Sequence, residues 1–208
     1  MRLPARLLAA TAIALLGACS VLPKSEPQEI YRLPATPLPH DSAVPVNWSL
    51  RIDTPNAERM LDSSRITVLP QGDTVSVYKG ARWSDTATTL LRNRFVDAFR
   101  DNGRVAALSS DESSLQADYS LSGDLRAFQS VYENGQPVVV IRLDARLVQN
   151  SGLRIVATHR FDIHQPVGGT TVPQVVAAFG QATDALAGQL VSWTLQQPMG
   201  TQASARTQ

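Results

Sequence analysis

The sequence has a single cysteine, three histidines and few aromatic residues, 6% in all. With only Cys19, the chain forms no intramolecular disulfide and no thiolate zinc site. His40, His159 and His164 stand at no spacing with aspartate or glutamate that marks a metal centre, so none is expected. Charge of one sign is also scarce. Nineteen basic residues face eighteen acidic ones, for a net charge of +1, and no basic field implies nucleic acid as a partner. The apolar stretch Leu7 to Leu16 is half the roughly 20 residues a membrane-spanning helix needs. There is no G-x-S-x-G elbow for a nucleophilic serine. Gly168-Gly169-Thr170-Thr171 lacks the lysine and glycine spacing of a phosphate loop, and reads as a turn and helix N-cap. His159 and His164 are five apart on one predicted strand, so they point to opposite faces and share no site.

What is present begins with an address. Arg2 and Arg6 precede the apolar stretch, and Leu16-Gly17-Ala18-Cys19 follows it. This is a signal peptide over residues 1–18 whose end resembles a bacterial lipobox. The resemblance implies cleavage before Cys19, which would then carry a diacylglycerol thioether and an N-acyl chain such as palmitate. Several buried chains at about 0.8 kcal/mol per CH2 make an anchor that does not let go. No other cofactor is expected. The 190 residues left keep 17 basic and 18 acidic side chains. Ser20 is not the aspartate that, by resemblance to a sorting code, retains lipoproteins at the inner membrane. An outer-membrane, periplasm-facing location follows.

Residues 19–47 read as an acylated cysteine and a proline-rich tether, with Pro23, Pro27, Pro34, Pro37, Pro39 and Pro45 opposing helix. From Cys19 to Ile30 it reaches about 35 Å when extended. Ile30-Tyr31-Arg32-Leu33 interrupts it as a short edge strand.

The body, 48–197, is long enough to bury roughly 70% of its unfolded surface. Trp48, Leu50 and Ile52 alternate with polar residues as a strand. Asn56 to Leu61 predicts a helical turn. Arg65–Leu69 and Thr74–Tyr78 flank Pro70-Gln71-Gly72-Asp73 as a hairpin. Ala87, Leu90, Leu91, Phe95, Ala98 and Phe99 predict an amphipathic helix, capped by Ser84 or Asp85 and stopped at Asn102-Gly103. Arg104–Leu108 predicts a short strand. Residues 117–128, 138–148 and 153–163 predict an antiparallel meander turning at Asn134-Gly135 and Asn150-Ser151-Gly152. In the first of these, Ala117, Tyr119, Leu121, Leu125 and Ala127 share one face. Val172, Val175, Val176, Phe179, Leu186, Leu190 and Trp193 predict a second helix with Pro173 in its first turn. Residues 198–208 read as a flexible tail. The fold class is α/β, a two-layer sandwich of a mixed, mostly antiparallel sheet and two amphipathic helices. Trp83 and Trp193 are expected as core anchors. Arg142, Asp144 and Arg146 line the polar second face of the sheet and are the candidate partner-contact residues; cross-strand ion pairs on a solvated face are the competing reading.

The order of these features resembles the auxiliary lipoproteins of MCE-type ABC lipid transporters. The lipobox is followed by Tyr31-Arg32-Leu33-Pro34, then Leu50-Arg51-Ile52 and Pro55. Next come Met60-Leu61-Asp62-Ser63-Ser64-Arg65-Ile66, Tyr78, Ala81-Arg82-Trp83, Leu90-Leu91 and the helix ending near Trp193. The resemblance implies a non-enzymatic subunit without catalytic residues. Its partners would be a periplasmic MCE-domain protein, an inner-membrane permease and an ATPase, moving phospholipid or other apolar cargo and supporting envelope integrity. Homo-oligomerisation is left open. Two other readings remain at this stage. A lipid-binding carrier requires an apolar pocket between helices and sheet. An envelope hydrolase requires a cleft joining a histidine to a serine or aspartate.

Overall fold

A computed structural model describes residues 27–113 and 115–199. The signal peptide, Cys19 and the tail from Gly200 lie outside the described residues. Along the chain come β1 (Glu29–Tyr31), β2 (Leu50–Ile52), β3 (Asn56–Ala57), β4 (Arg65–Gln71), β5 (Thr74–Trp83) and helix α1 (Ala87–Asn102). Then follow β6 (Leu108–Ser110), β7 (Tyr119–Glu133), β8 (Gln136–Gln149), β9 (Arg154–Pro166) and helix α2 (Val172–Leu195).

The predicted meander is the spine of the sheet. β7 pairs antiparallel with β8, and β8 with β9. The Asn134-Gly135 turn has positive φ at both residues, 51° and 79°, the conformation that joins twisted strands in two residues. β2, β3 and β4 all lie parallel to β7 along its other side, at Tyr119–Leu121, Asp124–Leu125 and Ser130–Val131. β6 extends the sheet beyond β2, while β5 and then β1 extend it beyond β4. The sheet is therefore mixed and open, with β1 and β9 at opposite edges of the path β1-β5-β4-β7-β8-β9.

Several local expectations change. Asn56–Ala57 is a strand, because its backbone completes the edge of β7; the helical turn comes two residues later, where Leu61 and Asp62 both donate to the Glu58 carbonyl. Arg104–Leu108 is not one strand; it feeds β6, with the Arg104 and Ala107 carbonyls accepting from Val46 and Leu50. The cap of α1 is Thr86, whose hydroxyl accepts from the Thr89 amide, rather than Ser84 or Asp85. Asp85 instead accepts from the Thr86 amide at 2.7 Å. Ala127 does not share the face of Tyr119, Leu121 and Leu125. A bulge at Arg126 shifts the register from Leu125↔Leu143 to Ala127↔Arg142, so Phe128 turns inward and Ala127 outward.

Both helices cover one face of the sheet. Leu121, Leu125, Phe128, Ile141, Leu143 and Leu147 are buried there with Leu91, Phe95 and Phe99 of α1 and Val175, Phe179, Leu186 and Leu190 of α2. Burying one such side chain contributes about 1.5–3 kcal/mol. Trp83 is 1% exposed and meets Phe179 edge-on at 5.3 Å, while Phe128 lies 4.8 Å from Phe179. Trp83 is thus the core anchor expected. Trp193 is a partly buried one, against Phe161 and the His159 ring.

The predicted edge strand exists as β1, paired in parallel with β5 from Glu29↔Ala81 to Tyr31↔Trp83. Beyond it the proline-rich segment is not free. Residues 33–47 form a strap laid across the helices. Leu33, Leu38 and Val46 pack on the core. Buried Arg94 of α1 binds Asp184 of α2 at 2.8 Å and the Thr36 carbonyl at 2.6 Å, and Asp184 accepts from the Thr36 amide. The strap runs so close to α2 that a Cβ added at Gly180 would stand 2.8 Å from Pro34. Proline excludes helix here, and an irregular segment with polar backbone groups bound by Arg94, Asp184 and Asp101 is the alternative.

Candidate docking surface

Among the described elements no helix covers the second face of the sheet, and this is where the predicted partner-contact residues fall. Strand alternation sends Leu143, Ala145 and Leu147 to the helices and Arg142, Asp144 and Arg146 outward. Each of the three is in an ion pair. Arg146 binds Asp124 at 2.6 Å and Arg142 binds Asp162 at 2.9 Å. Asp144 receives two parallel bonds from Arg160, at 2.5 and 2.8 Å, and one from Arg126 at 3.2 Å. The Arg160 guanidinium, with Arg126 beside it, holds the Asp144 carboxyl down at about 2. Arg146 likewise lowers Asp124. The cross-strand reading and the contact reading thus describe one surface: a lattice of alternating charges in which four arginines share three aspartates. Alternation along 117–128 put Arg126 on this polar face without giving it a partner, and did not name Arg160. Pairing brings both in: Arg160 stands directly opposite Asp144 on β9, and Arg126 sits at the β7 bulge.

At one end of this sheet lies a groove of about 580 Å3 lined by Ser49, Arg51, Asp118, Asn150 and Leu153. Its polar groups are largely engaged with one another: Ser49 donates amide and hydroxyl to Asp118, Asn150 donates to the Ala117 carbonyl, and Arg51 pairs with Asp53. Leu153 at its rim is 80% exposed with φ of +51°. Between helices and sheet, a slot lined by Phe95, Leu121, Gly123, Leu143 and Leu190 offers about 10 Å3. That is about one water's room, whereas ligand sites run to roughly 300–1,000 Å3. An acyl chain does not fit this slot, which counts against the carrier reading there.

The histidines do not converge. His159 faces the helices and stacks on Trp193, while His164 faces the other way, 3.3 Å from Asp162. His40 lies on the strap, with its ring at the Asp101 carbonyl. Gly168 to Thr171 does form a helix start. Gln174 accepts from the Thr171 amide and hydroxyl and donates to the Gly168 carbonyl, so the loop's polar groups serve the helix itself. Among the described residues no His, Cys, Asp and Glu group suits a metal ion, and no helix is long and apolar enough to cross a membrane.

A model of the ABC-type transport auxiliary lipoprotein component matches residues 31–191, from the last residue of β1 through most of α2, strap included. The chain belongs to this family. An uncharacterised protein of Bradyrhizobium diazoefficiens is 31% identical over 172 residues, or 78% of the chain. The matched stretch spans 46% of that relative's length. Among solved structures, protein XCC0632 of Xanthomonas campestris is 37% identical, covers 80% of this chain and 95% of its own, and superposes with a TM-score of 0.74. A second uncharacterised protein, 13% identical, shares the fold over 81% of the chain with a TM-score of 0.63. The family is one of lipoproteins that assist ABC transport, which bears out the family resemblance drawn from the sequence.

Proposed function

We propose that the chain is a non-enzymatic, outer-membrane lipoprotein subunit of an MCE-type ABC transporter that moves phospholipid or other apolar cargo between the two membranes. It would be acylated on Cys19, face the periplasm and work with an MCE-domain protein, a permease and an ATPase. The observation that carries the reading is the family match over residues 31–191, and Leu16-Gly17-Ala18-Cys19, which resembles a lipobox, supports it. The open face supports it: a lattice of paired charges favours orientation and partner choice over raw affinity. The filled slot between the layers supports a docking role over carriage of lipid inside the body.

The test is an affinity purification of the acylated full-length protein from detergent-solubilised envelopes, with proteins and lipids identified by mass spectrometry. Recovery of an MCE-domain protein with its permease and ATPase is expected. A folded, acylated sample that brings down none of them overturns the reading, and one that brings down lipid alone replaces it with the carrier.

A further inference from the structure

On the outer face, at the edge where the chain arrives from Cys19, one row crosses three strands: Ile30 of β1, Arg82 of β5 and Arg65 of β4. Their neighbours Tyr31, Ala81, Trp83 and Ile66 turn toward the core, so these three turn outward. Arg65 and Arg82 are direct cross-strand partners. Like charges in that position destabilise a sheet, and here nothing among the described residues relieves them. Neither arginine has an ion pair there. The nearby carboxylates are used elsewhere. Glu29 accepts from the Tyr31 hydroxyl on the helix side, Asp62 from Thr88 and Asp85 from the Thr86 amide. This contrasts with the lattice across β7, β8 and β9, where Arg126, Arg142, Arg146 and Arg160 are all matched. Ile30, beside Arg82, is 58% exposed, and Arg32 is exposed just after it.

We infer that this corner binds the anionic phospholipid headgroups of the membrane that holds Cys19. The inference rests on the proposed acylation. Ten residue steps separate Cys19 from Glu29, a span of at most about 36 Å, so the β1 edge is the described part of the body kept nearest the anchor. Juxtamembrane arginines are attracted to an anionic leaflet. Two of them, with no acid among the described residues paired to them and an exposed isoleucine alongside, match such a surface in charge and in apolar edge. The anchor supplies a high local concentration, so a weak patch suffices to orient the body. Docked this way, the opposite edge, β9, stands five strand spacings away, about 24 Å, and faces the periplasm.

The test uses the chain from Cys19 onward, which contains every described residue. Its only thiol is coupled to a maleimide phospholipid in vesicles of phosphatidylcholine, with or without phosphatidylglycerol. Coupling replaces acylation, so metabolic labelling of Cys19 with a palmitate analogue tests that reading separately. Amide exchange over residues 29–31 and 79–83 is expected to slow on the anionic vesicles by up to about thirty-fold, what two surface arginines supply, and to recover in high salt. Arg65→Glu places a carboxylate opposite Arg82. It is expected to keep or raise the melting temperature while abolishing the slowing, an outcome that misfolding does not produce. Equal exchange on both vesicle types, or slowing that survives Arg65→Glu, overturns the inference. Slowing that follows protein density rather than lipid charge also overturns it and assigns the corner to a second copy of the chain.

Discussion

Leu153 combines two unfavourable conditions. Its φ of +51° is a left-handed conformation, which costs an L-residue of this bulk about 1 kcal/mol, and its side chain is 80% in solvent. It follows Gly152, also left-handed, in the β8–β9 turn. Leu153→Gly removes the strain without losing packing. We expect an unfolding free energy higher by about 0.5 kcal/mol, measurable in urea, and the sign is what matters. Asp144 makes a second prediction at this scale. Its carboxyl is lowered from the ordinary 3.8 to about 2 by the Arg160 guanidinium. A carboxylate with a depressed folded-state value stabilises fully above the unfolded value and loses that contribution as pH falls through the folded one. Asp41, Asp111 and Asp124 are lowered too and titrate in the same direction, so the comparison must be made against a variant. Urea midpoints from about pH 5 down to about pH 2 should fall more steeply for the native chain than for Asp144→Asn. Identical slopes would remove Asp144 from the account.

At the scale of elements, the strap depends on one buried group. Arg94 is buried and joins α1 to Asp184 of α2 and to the Thr36 carbonyl. Replacing it with methionine keeps the stem, leaves the Thr36 carbonyl without that donor and takes from Asp184 its guanidinium, with only the Thr36 amide still donating to it. A loss of about 3 kcal/mol is expected in equilibrium unfolding, with exchange at residues 33–38 rising first. A loss below 1 kcal/mol would mean that packing of Leu33, Leu38 and Val46 seats the strap unaided. The strap also marks where reading the sequence stopped. Proline at 34, 37, 39 and 45 announced a segment that is not helical, and that holds. Composition does not say whether an extended segment is free or docked. That depends on Arg94 and Asp184, which stand 58 and 148 residues from Thr36 in sequence.

Across the whole molecule, periodicity carried far. The three long strands, both long helices and the three hairpins follow from alternation, helical spacing and turn residues. The short parallel strands along β7 did not, because two or three residues hold no period. The Arg126 bulge was equally silent, and with it the inward turn of Phe128. Of the docking surface, Arg142, Asp144 and Arg146 were legible as an outward face. Their partners Asp124, Arg126, Arg160 and Asp162 are set by register between strands, which sequence distance hides. The unrelieved Arg65–Arg82 pair was hidden the same way.

Seating the strap joins Thr36 to Asp184, near the two ends of the described chain. Contacts this distant form late, since closing so large a loop costs entropy that only a nearly complete core repays. The seat belongs to the last helix, so it does not exist until almost the entire body has been synthesised. The first part of the body to be synthesised is therefore the last to find its place. Until then residues 33–47 have no α2 to lie against, and closing the strap becomes a mark that folding is finished.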